Sequence, residues 1–317
     1  MNTLYKSIGT SKQSFHQKED RWLKNKSEQG QLLLLIYQIR EDHPTMGARD
    51  MYFKLQPKCM GRDAFELFCK EENLGSKKKK NYRVTTDSSG VIRFNNLLIN
   101  LKITKINQVW QSDITYFELH GIFYYLTFII DAFSRRIVGH QTSTRLTTEQ
   151  TTLPALQKGI KLREKQGLSV NELIFHSDGG GQYYAKVFLE LTSKSGIQNS
   201  MCAYAWENGK AERINGVIKN NYLIHRNIKT YDELVKEVDR SVNLYNTDKP
   251  HINLQRLTPI KFENQYLCLE QKVESDKLAT KKKSHLEDSY SPPDCEQKVS
   301  SSNIARKKMR KVNQIVN

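Results

Sequence analysis

At 317 residues the chain can hold one medium catalytic domain with one or two small appendages. Lys and Arg number 50 against 34 Asp and Glu, a formal net charge of +16, which attracts a polyanion from a distance and releases counterions on contact. A solubility bias or a ribosomal-type protein would also carry such charge, but five cysteines without a C-x-x-C pair, Cys59, Cys69, Cys202, Cys268 and Cys295, argue against a disulfide framework and a zinc site.

The longest apolar run, Leu32 to Ile36, is too short to span a bilayer, and Met1 leads into a polar segment rather than a signal peptide. A soluble, cytoplasmic protein is expected, with no membrane partner. In chain order, residues 1–30 read as a polar arm. Ile8 to His16 suggests a tight turn at Gly9 and a helix capped by Ser11, which fits part of a helix-turn-helix or a simple cap. A helix from Leu32 must stop near His43-Pro44, because proline disfavours α geometry in the residue before it. Met46 to Leu55 and Asp63 to Lys70 restart helically, and Lys77 to Lys80 reads as a basic linker that contacts phosphates without base specificity. Residues 31–80 are therefore expected to form a small helical DNA-binding region, centred on the helices around Arg49 and Arg62, with a structural three-helix cap as the alternative.

From Asn107 the period becomes strand-like: Val109 to Glu118, a turn at His120-Gly121, Ile122 to Ile130, a turn over Asp131 to Ser134, then Arg135 to His140. A helix over Thr147 to Arg163, a buried strand over Glu172 to Phe175, a helix over Ala185 to Lys194, a strand over Ile197 to Met201 and a helix over Glu207 to Tyr222 follow. Three antiparallel strands and then alternating helix and strand is the order of a ribonuclease-H-like α/β fold, a mixed sheet with helices on both faces. The core is placed at 100–225. An amphipathic helix over Thr230 to Tyr245 and the ordered stretch to Pro259 form a helical extension, 226–268. Residues 269–317, basic and poor in large apolar side chains, read as a disordered tail.

Asp113 follows Trp110-Gln111-Ser112, and Asp178 follows Phe175-His176-Ser177 and precedes Gly179-Gly180-Gly181; Glu212 lies on the closing helix. A single Asp at a strand end is most often a turn-former. The set suggests more, because in this topology all three acids can converge at one sheet edge. Oxygen ligands suit hard divalent cations, and two cations about 4 Å apart can activate a nucleophilic oxygen and stabilise the leaving one.

Trp110 to Tyr116, Asp131 to Gly139 and His176 to Tyr183 resemble the integrase core of bacterial insertion-sequence transposases, most closely the large group numbered three. Tyr245-Asn246, Lys249-Pro250-His251, Leu254 and Leu257-Thr258-Pro259 resemble that group's signature after the closing helix. The resemblance covers roughly Leu32 to Tyr266. It implies a DDE transposase that cleaves and joins DNA strands through a circular intermediate, with Asp113, Asp178 and Glu212 as catalytic residues and ligands of Mg²⁺, which Mn²⁺ can replace. It also implies insertion-sequence ends and target DNA as substrates, a homo-oligomer on DNA, nucleoid association and an upstream-frame helix-turn-helix protein as a further partner.

Two departures stand out. The gap between the second and third acids is two residues shorter than usual, in Cys202 to Trp206, and the family's Asp-Asn is Glu207-Asn208 here. Glu207 thus rivals Glu212 as third ligand; the Ala211-Glu212 setting favours Glu212, with Glu207 as a helix cap. No nucleotide-binding loop is present, in keeping with transesterification. A catalytically inactive transposase-derived DNA-binding protein and a ribonuclease-H or junction-resolving nuclease are the alternatives.

Overall fold

Ser11 sits in the extended region and its hydroxyl accepts from the Ser14 amide at 3.1 Å, which starts helix α1 (Lys12–Asp42). In this computed structural model, which describes Tyr5, Ser7 and residues 9–75, 93–202 and 204–287, the chain forms two units, Met1–Lys79 and Lys80–Asn317. The linker Lys77 to Lys80 lies outside the described residues.

In the first unit α1 runs 31 residues without a break, so the boundary expected at residue 30 falls inside a helix. A glycine inside a helix costs only about 1 kcal/mol against alanine, and Gly30 is carried by the apolar turns that follow it. Leu32, Ile36 and Ile39 of α1 close a core with Met51 of α2 (Ala48–Leu55) and Phe65 and Phe68 of α3 (Arg62–Glu71). Arg40 ties the connections down, donating to the carbonyls of Pro44 at 2.9 Å and Leu74 at 2.6 Å.

The second unit is built on strands β1 (Val109–Leu119), β2 (Ile122–Asp131), β3 (Ile137–Ser143), β4 (Ile174–Ser177) and β5 (Gln198–Met201). Their order across the sheet is β3-β2-β1-β4-β5, with β1–β2 and β2–β3 antiparallel and β1–β4 and β4–β5 parallel. That is the ribonuclease-H-like arrangement. His120 and Gly121 both take positive φ, 52° and 80°, the two-residue turn that matches the twist of a hairpin.

Alternation along the strands separates two cores. On one face Trp110, Ile129 and Phe175 pack on Ala155, Leu156 and Ile160 of α4 (Thr152–Lys165) and Phe188 of α5 (Lys186–Lys194). On the other, Leu126, Phe128 and Ile130 meet Ile214 and Ile218 of α6 (Gly209–Asn221) and Leu234, Val238 and Val242 of α7 (Tyr231–Thr247). Gly139 allows β3 to touch α4: a Cβ there would stand 2.2 Å from the Ala155 carbonyl oxygen.

The turn after β2 is fixed by ions. Asp131 accepts from the amides of Asn107, Phe133 and Ser134 and from Arg163, while Glu263 of α8 (Pro259–Glu287) accepts from Arg163, Arg136 and Ser134 at 2.6–2.8 Å. Asn246 pairs through its amide with both the N–H and the carbonyl of Ile137, at 3.0 and 2.9 Å. These contacts engage Asp131, Ser134 and Arg136 of the stretch Asp131–Gly139 and Asn246 of the stretch Tyr245–Pro259.

α8 corrects the expected tail. The helix continues past residue 269 to Glu287, because this stretch has no Gly or Pro and is rich in Glu, Lys and Leu, good helix formers even without an apolar face. Residues 288–317 lie outside the described residues. The helix expected from Thr147 starts at Thr152, and Ala205–Asn208 forms a 3₁₀ turn ahead of α6.

Candidate active site

The parallel pairing of β1 with β4 brings Gln111 opposite His176. Asp113 and Asp178 each lie two residues further on, so the two acids occupy equivalent positions on neighbouring strands, which run about 4.8 Å apart. Asp178 has just left β4, and the Gly180 amide donates to its Oδ1 at 3.1 Å while the Tyr184 hydroxyl donates to its carbonyl at 2.9 Å.

α6 crosses over β1 and delivers one polar face. Asn208, Glu212, Asn215 and Lys219 recur at helical spacing: Asn208 Nδ2 donates to the Ser112 carbonyl at 2.8 Å, Asn215 Nδ2 to Asp113 Oδ2 at 2.7 Å, and Lys219 Nζ to Thr115 Oγ1 at 3.1 Å. Lys219 also lies over the Tyr116 ring, 5.5 Å from its centroid. Glu212, on this same face, is close enough to bear on the charge of Asp113.

Ser112 holds the backbone before Asp113 from below. Its hydroxyl donates to the Phe128 carbonyl at 3.1 Å and meets the buried Tyr183 hydroxyl at 2.9 Å. With the Ser112 proton spent on Phe128, Tyr183 must be the donor, and burial, with the charges of Asp178 and Asp113, pushes its phenol well above the usual range. The tyrosine is therefore a fixed neutral donor that links the loop after Asp178 to the strand before Asp113.

Electrostatically the edge is unbalanced. Burial, then the charges of Asp178 and Glu212, push the Asp113 carboxyl up to about 7. Burial also raises Asp178. Beside them the His176 imidazole is pushed down to about 4 by burial, held through Nδ1 at 2.9 Å from Ser200 Oγ. With the side chains as they stand, no three His, Cys, Asp or Glu among the described residues close round a single point. The structure brings Asp113 within electrostatic reach of both other acids rather than assembling a finished cage.

Glu207 has a different job. Its carboxylate accepts from the Tyr204 amide at 3.2 Å and its own amide donates back to the Tyr204 carbonyl, which closes the 3₁₀ turn ahead of α6. The glycines after Asp178 do not take positive φ; a Cβ at Gly180 would come 3.1 Å from Asp178 Oδ1, whereas Gly181 is open. Asn215, to which the sequence reading gave no such role, orients Asp113. Its spacing of three from Glu212 was the available signal. Nothing in the sequence pointed to the Tyr183–Ser112 bond.

Stretches of the chain are similar to known proteins. Residues 104–205 match the family described as integrase core domain, and residues 195–259 match a second family of the same description. A 31 kDa protein of insertion element IS600 from Shigella sonnei is 29% identical over 258 residues, 79% of this chain and 92% of that protein. A Mycobacterium tuberculosis protein named as a transposase for insertion sequence element IS986/IS6110 is 34% identical over 120 residues; the match spans 37% of this chain and 43% of that one, less than half the relative's length. Among solved structures, the HTLV-2 integrase catalytic core domain in complex with magnesium overlays with a TM-score of 0.40 at 23% identity, covering 50% of this chain and 96% of that chain.

Proposed function

The chain belongs to the insertion-sequence transposases built on an integrase core, and from that premise we propose that Asp113, Asp178 and Glu212 form the divalent-metal site at which it cleaves and joins DNA strands. One observation carries the reading: Asp113 and Asp178 are set side by side by strand register, facing a helix that adds a third carboxylate, and no ion pair closes on either Asp among the described residues, Lys219 acting on Asp113 only from a distance.

Integrase cores depend on a divalent metal, and the residues present fit one. All three candidate ligands offer hard oxygens; burial and then repulsion from Asp178 and Glu212 lift Asp113, and a divalent cation would offset both. Mg²⁺ is the preferred ion, with Mn²⁺ able to replace it. Bound there, the cation supplies a Lewis acid that polarises a phosphoryl oxygen and lowers the pKa of the attacking water or 3′-hydroxyl. The protein's own part is placement. Asn215 fixes one oxygen of Asp113, the Gly180 amide fixes one of Asp178, and Tyr183 through Ser112 fixes the strand between them. Glu212 is preferred to Glu207 as third ligand, since Glu207 is engaged in its turn.

Insertion-sequence ends and target DNA are the substrates, and the reaction needs copies of the chain that synapse two ends. Membership of the group numbered three rests on the signature from Tyr245 to Pro259, where Asn246 clamps Ile137. The upstream helix-turn-helix partner finds no support in the comparisons. End recognition is assigned to residues 1–80. There Arg49 pairs with Glu66 at 2.7 Å and Arg62 with Asp63 at 2.8 Å, so both would exchange a carboxylate for phosphate on binding. No helix among the described residues is long and apolar enough to cross a membrane.

Asp113→Asn, Asp178→Asn and Glu212→Gln should each abolish nicking and strand joining on end-containing oligonucleotides while DNA retention in a gel shift stays within about twofold. An amide is a much poorer ligand for a hard cation. Full activity of Glu212→Gln together with loss in Glu207→Gln would transfer the third position to Glu207; full activity of Asp113→Asn would end the proposal.

A further inference from the structure

Between β5 and α6 two aromatic rings are stacked in water. Tyr204 and Trp206 lie 4.4 Å apart between centroids with 5° between their planes, yet they remain 55% and 74% exposed. Large apolar side chains this open are ordinary when scattered singly. Two rings held parallel and uncovered are a different matter, because the pair keeps a flat π-face turned to solvent.

The turn that carries them is strapped to the acids' own strands. At its start the Cys202 amide donates to the Ser177 carbonyl at 3.0 Å, and at its end Asn208 Nδ2 donates to the Ser112 carbonyl at 2.8 Å. Ser177 and Ser112 are the residues immediately before Asp178 and Asp113. Glu207 locks the middle of the turn through the Tyr204 amide. The rings are thus fixed in position relative to the two carboxylates. The turn also leads directly into α6, the helix that carries Glu212.

We propose that Tyr204 and Trp206 form a stacking platform for an unpaired nucleobase of the DNA strand whose phosphate lies at Asp113 and Asp178. The inference rests on the acid site proposed above. A phosphodiester presented to those carboxylates brings its neighbouring nucleotides against a turn anchored one residue from each acid. Within a duplex both faces of a base are covered by its neighbours, whereas a frayed or flipped base has a free face. Stacking on aromatic side chains accepts any base, because each has a π-face. The platform therefore holds a strand end open without selecting its sequence, and the net charge of +16 supplies the attraction that brings DNA to it.

The test uses the full chain, without divalent cation, and two duplexes of one sequence, one blunt and one with a two-nucleotide single-stranded overhang containing 2-aminopurine. The parent should bind the overhang duplex more tightly and quench its fluorescence. Trp206→Ala should lower affinity for the overhang duplex by about fivefold or more, the low end expected for loss of one base–aromatic stack. It should abolish the quench and leave blunt-duplex affinity unchanged; Trp206→Phe should keep most of both. Tyr204→Ala should give a smaller loss, since it only supports the outer ring. Asp113→Asn should quench like the parent, which separates failure of this proposal from failure of the acid site. Three results would overturn it: no preference of the parent for the overhang, equal loss on both duplexes, or a Trp206→Ala chain whose DNA-free sedimentation shows a lost protein–protein contact. Unchanged thermal unfolding of Trp206→Ala, expected for so exposed a side chain, confirms that the comparison is between folded proteins.

Discussion

The sheet treats its two sets of buried carboxylates in opposite ways. At the end of β2, Asp131 and Glu263 are met by Arg163 and Arg136, by a serine hydroxyl and by backbone amides, so that their oxygens are engaged. Burial raises Asp131 even beside the Arg163 charge, whereas hydrogen bonds and charge from Arg163, with Arg136 behind it, overcome burial at Glu263 and hold it below the usual carboxylate range. Three residues from Asp131's partner on β1, Asp113 is buried facing two other acids, with the Asn215 amide on one oxygen and Lys219 only at a distance, and burial followed by those charges pushes its carboxyl up. The first arrangement is complete within the chain. The second is stable only as far as the rest of the fold sustains it, because the charge of Lys219 does not offset burial and repulsion at Asp113.

Cutting the compensated set should have the largest effect. Arg163→Met leaves Asp131 and Glu263 buried without their main counter-charge and should cost about 3–5 kcal/mol, read as a lower urea midpoint with unchanged slope. A loss below about 1 kcal/mol would show that the cluster is not the anchor described here.

Proton linkage sharpens the contrast. Asp113 binds its proton more tightly folded, with a carboxyl at about 7, than unfolded, where a free Asp titrates near 3.9. The folded state therefore loses stability from this group as pH rises from about 4 to about 7, and the deficit is full above that. Asp113→Asn should consequently be more stable than the parent at pH 8 without divalent cation, and the difference should vanish below pH 4. His176, at about 4 when folded, acts in the opposite sense: its contribution is present above the ordinary histidine range near 6.5 and is lost as pH falls toward 4. Parallel melting curves for the parent and Asp113→Asn would sink the account of the edge.

Supplying more positive charge comes next. At a hundred times its Kd, a divalent cation should raise the parent's stability by about 2.7 kcal/mol, with little gain in Asp113→Asn and a full gain in a variant altered only on the first unit. Calorimetry at constant ionic strength would read this. The smallest effect is assigned to Asn215→Ala, which frees one oxygen of Asp113. It should weaken the cation's half-saturation by about tenfold, within the range for residues that orient ligands, while turnover at saturating cation falls much less.

How much of this could be read from residues alone depends on the distance between partners. The β-rich runs on either side of His120-Gly121 and the helical spacing of Leu234, Val238 and Val242 are local patterns, and the elements lie where those patterns put them. That Asp113 and Asp178 stand level follows from the pairing of Gln111 with His176, a register between residues far apart in the chain, which no local pattern specifies. The partnership of Arg163 with Glu263 spans 100 residues and was invisible for the same reason. Two differences were compositional: residues 1–30 read as a polar arm and residues from 269 as a disordered tail, whereas Lys12–Asp42 and the stretch to Glu287 are helical, because weak helix signals were weighed by apolar content rather than by the scarcity of helix breakers.

Glu263 also imposes an order on biosynthesis. Ribosomes add about 5–20 residues per second, so after Arg163 is made its main counter-charge, 100 residues later, arrives about 5–20 s afterwards. All five strands have been synthesised by then, yet the turn after β2 still lacks the carboxylate that closes round Arg163 and Arg136. A nascent chain arrested near residue 255 should remain open to protease across β4, and one extended well past α8 should not. The turn after β2 is therefore completed last, and a gene interrupted before Pro259 should encode a polypeptide that lacks the strand cleavage and joining proposed above.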